Sequence, residues 1–211
     1  MTRFRTALPL LLVVGLLFGG LQPHLSSAQD PDSIEAPILK TPALTAPPDT
    51  SIDTDVPFVR SPEEVVVRML ELASVDANDV VYDLGSGDGR TPITAAQRFG
   101  ARGVGIEIRP DLVKKARRRA EMAGVADRVT FRQGDLFEAD FSDASVVTLY
   151  LLPDVNTRLR PKLFEQLEPG TRVVSHGFDM DEWEPDTTVQ VDDSYIYLWT
   201  IPEEVPSYLQ Q

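Results

Sequence analysis

The chain has no cysteine among its 211 residues and only two histidines. The first absence removes disulfides, and with them any argument from redox compartment. It also removes the cysteine that would anchor a lipoprotein behind its leader. The second excludes a multi-histidine metal site, because His24 falls in an N-terminal leader and His176 is left alone in the folded part. No metal-ligand spacing and no internal repeat is found. Basic residues are few, 20 against 33 acidic, for a net charge of −13. The leader carries Arg3 and Arg5 and no acid, so without it 18 basic residues face 33 acidic ones, a net −15. Such a chain lacks the basic footprint that phosphate backbones require, so nucleic acid is not an expected partner. A solvated acidic surface is the simplest use of the excess, and a basic partner the more specific one. The longest apolar stretch is interrupted and falls short of the roughly 20 residues that span a membrane comfortably.

What is present falls into three parts. Residues 1–28 read as a secretory signal: Arg3 and Arg5 form a positive start, Leu8 to Leu21 is mostly apolar, and Ser26-Ser27-Ala28 supplies small residues for cleavage before Gln29. Cleavage would export the protein to a periplasm or beyond. An uncleaved leader would instead anchor it and hold it near a membrane. Residues 29–56 carry Pro31, Pro37, Pro42, Pro47 and Pro48 among small polar residues, which predicts an extended linker. The folded domain is expected over 57–205. Ser61-Pro62-Glu63-Glu64 reads as a capped helix start, with Val65, Met69, Leu70 and Leu72 as its apolar face.

The centre of the domain is Val80-Val81-Tyr82-Asp83-Leu84, a strand by its β-branched and aromatic content, followed by Gly85-Ser86-Gly87-Asp88-Gly89 and a helix from Thr91 to Phe99. Strand, glycine turn and helix are half of a nucleotide-binding unit. Glycine admits positive φ and lets a ligand lie on the main chain. The helix start is expected to offer free N–H groups. Asp83 and Asp88 beside the turn would repel a pyrophosphate and suit a ligand with a cationic amino group and no phosphate. S-adenosylmethionine is such a ligand. Gly103 to Ile108 is a second strand, and Glu107 near its end stands where a carboxylate can accept from both ribose hydroxyls. A helix over 110–123 follows, with a basic face of Lys114, Lys115, Arg117, Arg118 and Arg119 that reads as solvated. Val129 to Arg132 is a third strand, Ala144 to Leu151 a fourth and Thr171 to Ser175 a fifth. Asp154 reads as the cap of a helix over 155–167, and the tail as a hairpin turning at Asp192-Asp193.

The string Asp83-Leu84-Gly85-Ser86-Gly87-Asp88-Gly89-Arg90 resembles the first motif of the class I S-adenosylmethionine-dependent methyltransferases. Phe58-Val59, Leu151-Leu152-Pro153 and Trp183-Glu184-Pro185 narrow the resemblance, over residues 57 to 185, to the protein-lysine methyltransferases that modify the ATP synthase c-subunit and the adenine nucleotide translocase. The resemblance implies an α/β fold: a Rossmann-like seven-stranded sheet, helices on both faces and a C-terminal antiparallel hairpin. It implies S-adenosyl-L-methionine as cofactor, bound by Phe58, Asp83, Gly85, Ser86, Gly87, Glu107, Asp135 and Leu136. It also implies in-line attack by a lysine amine of a protein acceptor. Phe58-Val59 equally fits a hydrophobic staple, and Asp135 a turn. Tyr150, Asp154, His176 and Trp183 are the candidate catalytic residues, each with a plainer reading as core, cap, loop and packing. The Asn/Asp-Pro-Pro-aromatic motif of nucleobase and glutamine methylation is absent. A small-molecule methyltransferase and an exported, non-catalytic binding module are the alternatives.

Overall fold

The computed structural model describes residues 59–210. The leader, the proline-rich linker and Phe58 lie outside the described residues. The elements are α1 (Glu63–Leu72), β1 (Val80–Leu84), α2 (Arg90–Phe99), β2 (Arg102–Glu107), α3 (Pro110–Met122), β3 (Val129–Gln133), β4 (Val146–Leu149), α4 (Pro153–Gln166), β5 (Arg172–His176), β6 (Thr187–Val191) and β7 (Ser194–Thr200). The seven strands form one sheet in the order β3-β2-β1-β4-β5-β7-β6. β1 to β5 are parallel, and β7 returns antiparallel beside β5 and pairs with β6. The chain winds outward from β1 to β3 and then jumps back to β4. That reversal opens a crevice at the C-terminal ends of β1 and β4, where doubly wound sheets bind ligands.

Alternation along the strands sets the two faces. Val80, Tyr82 and Leu84 pack with Leu159 and Leu163 of α4. Val81 packs with Val66, Met69 and Leu70 of α1. Ile93, Ala96, Val113 and Ala116 of α2 and α3 close over Val129 and Phe131. α1, α2 and α3 thus cover one face and α4 the other, as period-two side chains on a doubly covered sheet require. Past the hairpin, a short 3-10 turn over Ser207–Leu209 returns Leu209 to the core.

Three local expectations are corrected. α1 starts at Glu63, with Pro62 at the cap position and no side-chain cap bond; the Ser61 hydroxyl is hydrogen-bonded to His176 instead. Asp154 is not a cap: Leu152 holds that position, Pro153 is the first helical residue, and Asp154 lies exposed in the first turn of α4. β4 is shorter than its apolar run, which continues into the irregular end of the strand. No helix separates β3 from β4; turns over residues 134–145 make that crossing. Among the described residues no helix is long and apolar enough to cross a membrane. No group of three or more His, Asp or Glu among them could hold a metal ion.

Candidate active site

The glycine turn is closed by its own hydrogen bonds. Gly85 and Ser86 both donate to the Ile106 carbonyl at 2.9 Å, and Gly89 donates to the Ser86 carbonyl at 2.9 Å. Gly87 donates to Glu107 Oε2 at 2.7 Å. The amides of Gly85, Ser86, Gly87 and Gly89 are therefore engaged inside the protein, so at these residues the turn offers a shaped backbone rather than an anion nest. Two glycines are required by geometry. Gly89 has φ +77°, and a Cβ there would stand 2.5 Å from Phe131 and 2.8 Å from Ala116. Gly105 of β2 makes room for the turn itself: a Cβ there would meet Ser86 Oγ at 2.5 Å. Ser86 Oγ is buried without a hydrogen-bond partner. A buried hydroxyl left unpaired costs about 1–3 kcal/mol, so a polar ligand on the turn would recover it.

The acidic residues divide into those already neutralised and those that are not. Asp88, 2% exposed, is gripped by Arg90 through Nε at 3.1 Å and Nη2 at 3.0 Å, and by Arg119 at 2.5 Å. It is thereby removed as a ligand for an external cation, which corrects its sequence reading. Its carboxyl is held below the ordinary range, burial opposing and the Arg90 bond and the arginine charges prevailing. The same bonds correct the reading of α3 as wholly solvated, since Arg119 faces Asp88 and Arg117 donates to the Phe131 carbonyl at 2.7 Å. Among the described residues Asp83 has no cationic partner. Burial pushes its carboxyl up to about 6, with Thr148 and Thr91 bonds opposing and the charges of Glu107 and Asp88 adding to the rise. Thr148 donates to its Oδ1 at 2.6 Å. Glu107 is 7% exposed and oriented by two backbone donors, Gly87 to Oε2 and Arg109 to Oε1 at 2.9 Å. Each of its oxygens keeps a further lone pair for a hydroxyl donor. Asp135 lies exposed beyond β3 and accepts from the Phe137 amide at 2.8 Å; Leu136 beside it is half-buried.

At the β4–β5 end the ring of His176 stacks on Tyr150, centroids 4.0 Å apart. His176 is 3% exposed, and burial holds its imidazole below the usual value, neutral at pH 7. Asn156, buried on α4, donates to Ser175 Oγ at 3.2 Å and to the carbonyls of Phe178 and Asp179, fixing the loop after β5. Trp183 does not join this group. It packs against Phe164 at 4.6 Å and Trp199 at 5.6 Å, and its carbonyl accepts from Trp199 Nε1 at 2.7 Å. Thr148 and Asn156 join the site without any signal in the sequence, and Ser61 with a different one. Their partners Asp83, Ser175 and His176 lie on other strands, and no spacing reveals them. Arg90, at the end of the glycine motif, folds back onto its near neighbour Asp88. Away from the site, an open groove of about 680 Å³ runs between α1 and the β6 edge, its charges partly paired as Arg68–Glu71 and Arg98–Glu63.

The switch point between β1 and β4, with a buried aspartate that has no cationic partner among the described residues and glycine-turn amides already engaged, suits a cationic nucleoside. The model of the ANTKMT methyltransferase domain matches residues 83–187. A protein-lysine N-methyltransferase of Saccharolobus islandicus (strain REY15A) is 47% identical over 153 residues, 70% of this chain and 95% of that protein. The chain belongs to the protein-lysine N-methyltransferase family. It is an S-adenosylmethionine-dependent methyltransferase with a Rossmann-like α/β fold. The adenine nucleotide translocase lysine N-methyltransferase of Mus musculus is 37% identical over 131 residues, 62% of this chain, and the match spans only 56% of that enzyme's length. A Salinibacter ruber chain, solved with S-adenosyl-L-homocysteine and named an RNA methyltransferase, is 68% identical with a TM-score of 0.71; the match covers 72% of this chain and all of that one. The relatives' names therefore agree on the transferred group and differ on the acceptor.

Proposed function

We propose that this methyltransferase modifies the ε-amino group of lysine in a protein acceptor. The observation that carries the proposal is the 47% identity to the archaeal protein-lysine enzyme across 95% of its length. In this reading Asp83 faces the cationic amino end of the cofactor, and Glu107 accepts from the ribose hydroxyls. Asp135 and Leu136 border the adenine, and Gly85, Ser86 and Gly87 form the floor. Bound there, S-adenosylmethionine supplies an electrophilic methyl group on a sulfonium. The protein's contribution is to orient the acceptor and to free its lone pair. Burial that keeps His176 neutral would act the same way on an ammonium brought against Tyr150 and His176, favouring the neutral amine. Asp154, exposed on α4, is a candidate for the approach of the basic acceptor rather than for its deprotonation.

Methylation of RNA is the second reading, favoured by the name of the Salinibacter ruber chain. The net charge of −13 stands against it, since RNA affinity depends on neutralising phosphates. The protein incubated with methyl-labelled cofactor, cellular protein and total RNA decides between them. Label recovered as methyl-lysine supports the proposal; label confined to RNA or to small molecules overturns it. We also propose that residues 1–28 direct export. The support is the charged start, apolar stretch and small-residue site of that segment. A mature N-terminus at Gln29 by mass spectrometry is the expected result, and an intact Met1 would leave anchoring as the better account.

A further inference from the structure

Ser61 is the one buried residue in the stretch Val59-Arg60-Ser61-Pro62, 7% exposed between exposed neighbours. A buried polar residue is expected to have its polar groups hydrogen-bonded. Ser61 bonds in two directions. Its carbonyl accepts from Arg90 Nη1 at 2.5 Å. Arg90 opens α2 and forks onto Asp88 inside the glycine turn. Its hydroxyl is hydrogen-bonded to His176 Nδ1 at 2.8 Å across 115 residues of sequence. His176 ends β5 and stacks on Tyr150, which follows β4. Both bonds leave one residue, so Ser61 brings the Arg90 guanidinium at the start of α2 and the His176 ring at the end of β5 within a single residue's reach of each other. The backbone before α1 is therefore tied across the C-terminal edge of the sheet, from the turn on the cofactor side to the aromatic pair at the β4–β5 end.

We infer that Ser61 is a positioning residue that latches the segment before α1 over the mouth of the site and couples the glycine turn to the Tyr150–His176 pair. The inference rests on the cofactor reading of the glycine turn. It requires that cutting the latch from either end have the same consequence. If Ser61 only terminated a loop, its loss would lower stability and leave ligand coupling untouched.

S-adenosylhomocysteine binding to the full-length protein tests this by calorimetry, without any knowledge of the acceptor. S61A and H176Q should each weaken binding by about tenfold, and the double variant by no more than either alone, because linked residues are non-additive. S61T, which keeps the hydroxyl, should stay within about twofold of the wild type. In wild-type protein, added S-adenosylhomocysteine should shift the His176 imidazole resonances; in S61A that response should be lost. Wild-type affinity in S61A, multiplied effects in the double variant, or a His176 response that survives S61A would each overturn the latch. H176Q cuts the same bond from the other side and decides the matter if S61A does not fold. A wild-type protein that fails to bind S-adenosylhomocysteine would remove the cofactor reading underneath, a result distinct from any of these.

Discussion

Asp79 and Asp83 stand four residues apart, one just before β1 and one near its end, and the two edges of the sheet treat them oppositely. Asp79, at the N-terminal edge, accepts from Ser145 Oγ at 2.7 Å, from the Asp76 amide at 2.8 Å and from Arg172 of β5. Burial pushes its carboxyl up, but these bonds and the arginine charge prevail and hold it below the ordinary value. Asp83, at the C-terminal edge, has hydroxyl donors, no arginine among the described residues, and two further carboxylates nearby, and it rises to about 6. One strand thus ends in a finished ion pair and in an unfinished one. The finished pair ties β1, β4 and β5 together. In the proposed reading the unfinished one is completed by the cationic amino group of the cofactor.

Neutralising Asp83 should break this contrast most sharply. D83N should weaken S-adenosylhomocysteine binding by about 10³-fold, on the order of 4 kcal/mol, the scale for losing one partner of a buried charged pair. The ligand-free variant should stay folded, and above pH 6 it should melt no lower than wild type by calorimetry, because a buried unpaired anion has been removed. The opposite edge gives the opposite result. D79A should lower stability by about 3 kcal/mol by stranding Arg172. Its melting point should then fall by roughly 6–12 °C while cofactor affinity stays within about twofold.

The signs with pH also differ. For Asp79 the folded pKa is depressed, so its contribution is present above the unfolded carboxylate value and fades as pH falls through the depressed value, below about 4. For Asp83 the folded pKa is raised, so its ionisation costs stability as pH climbs from the ordinary carboxylate range to about 6, and the cost is constant above that. A bound cation requires the ionised form. Cofactor affinity by calorimetry should therefore be flat above about pH 6 and fall below it by up to about tenfold per pH unit. D83N should abolish that slope, and a wild-type slope centred near about pH 4 would show that Asp83 is not the group involved. The smallest effect is expected from T148V, which removes the 2.6 Å bond to Asp83. The midpoint of the affinity profile should move to higher pH, with a loss of about fivefold at neutral pH, roughly the net value of one ordinary hydrogen bond.

Much of this was legible in the chain. The glycine turn, the strand before it, Glu107 and the hairpin at Asp192-Asp193 are encoded locally, by glycine spacing, β-branched runs and turn residues. The sheet order follows from the resemblance that those motifs carry. Asp88 misleads because adjacency along the chain puts it in the ligand's path. Arg119, 31 residues away, and the folded-back Arg90 remove it. Ser61 misleads for a related reason. A serine before Pro-Glu-Glu has a sound local use as a cap, and a partner 115 residues distant outcompetes that use.

The sequence by itself determined the glycine turn and the carboxylates that flank it, because glycines and carboxylates express their chemistry at short range. Tertiary structure decided which carboxylates remain available, which amides are already engaged, and that Ser61 joins the two sides of the cleft. Those outcomes depend on which side chains meet across strands and helices, and on burial, which can raise one aspartate while a neighbouring guanidinium lowers another.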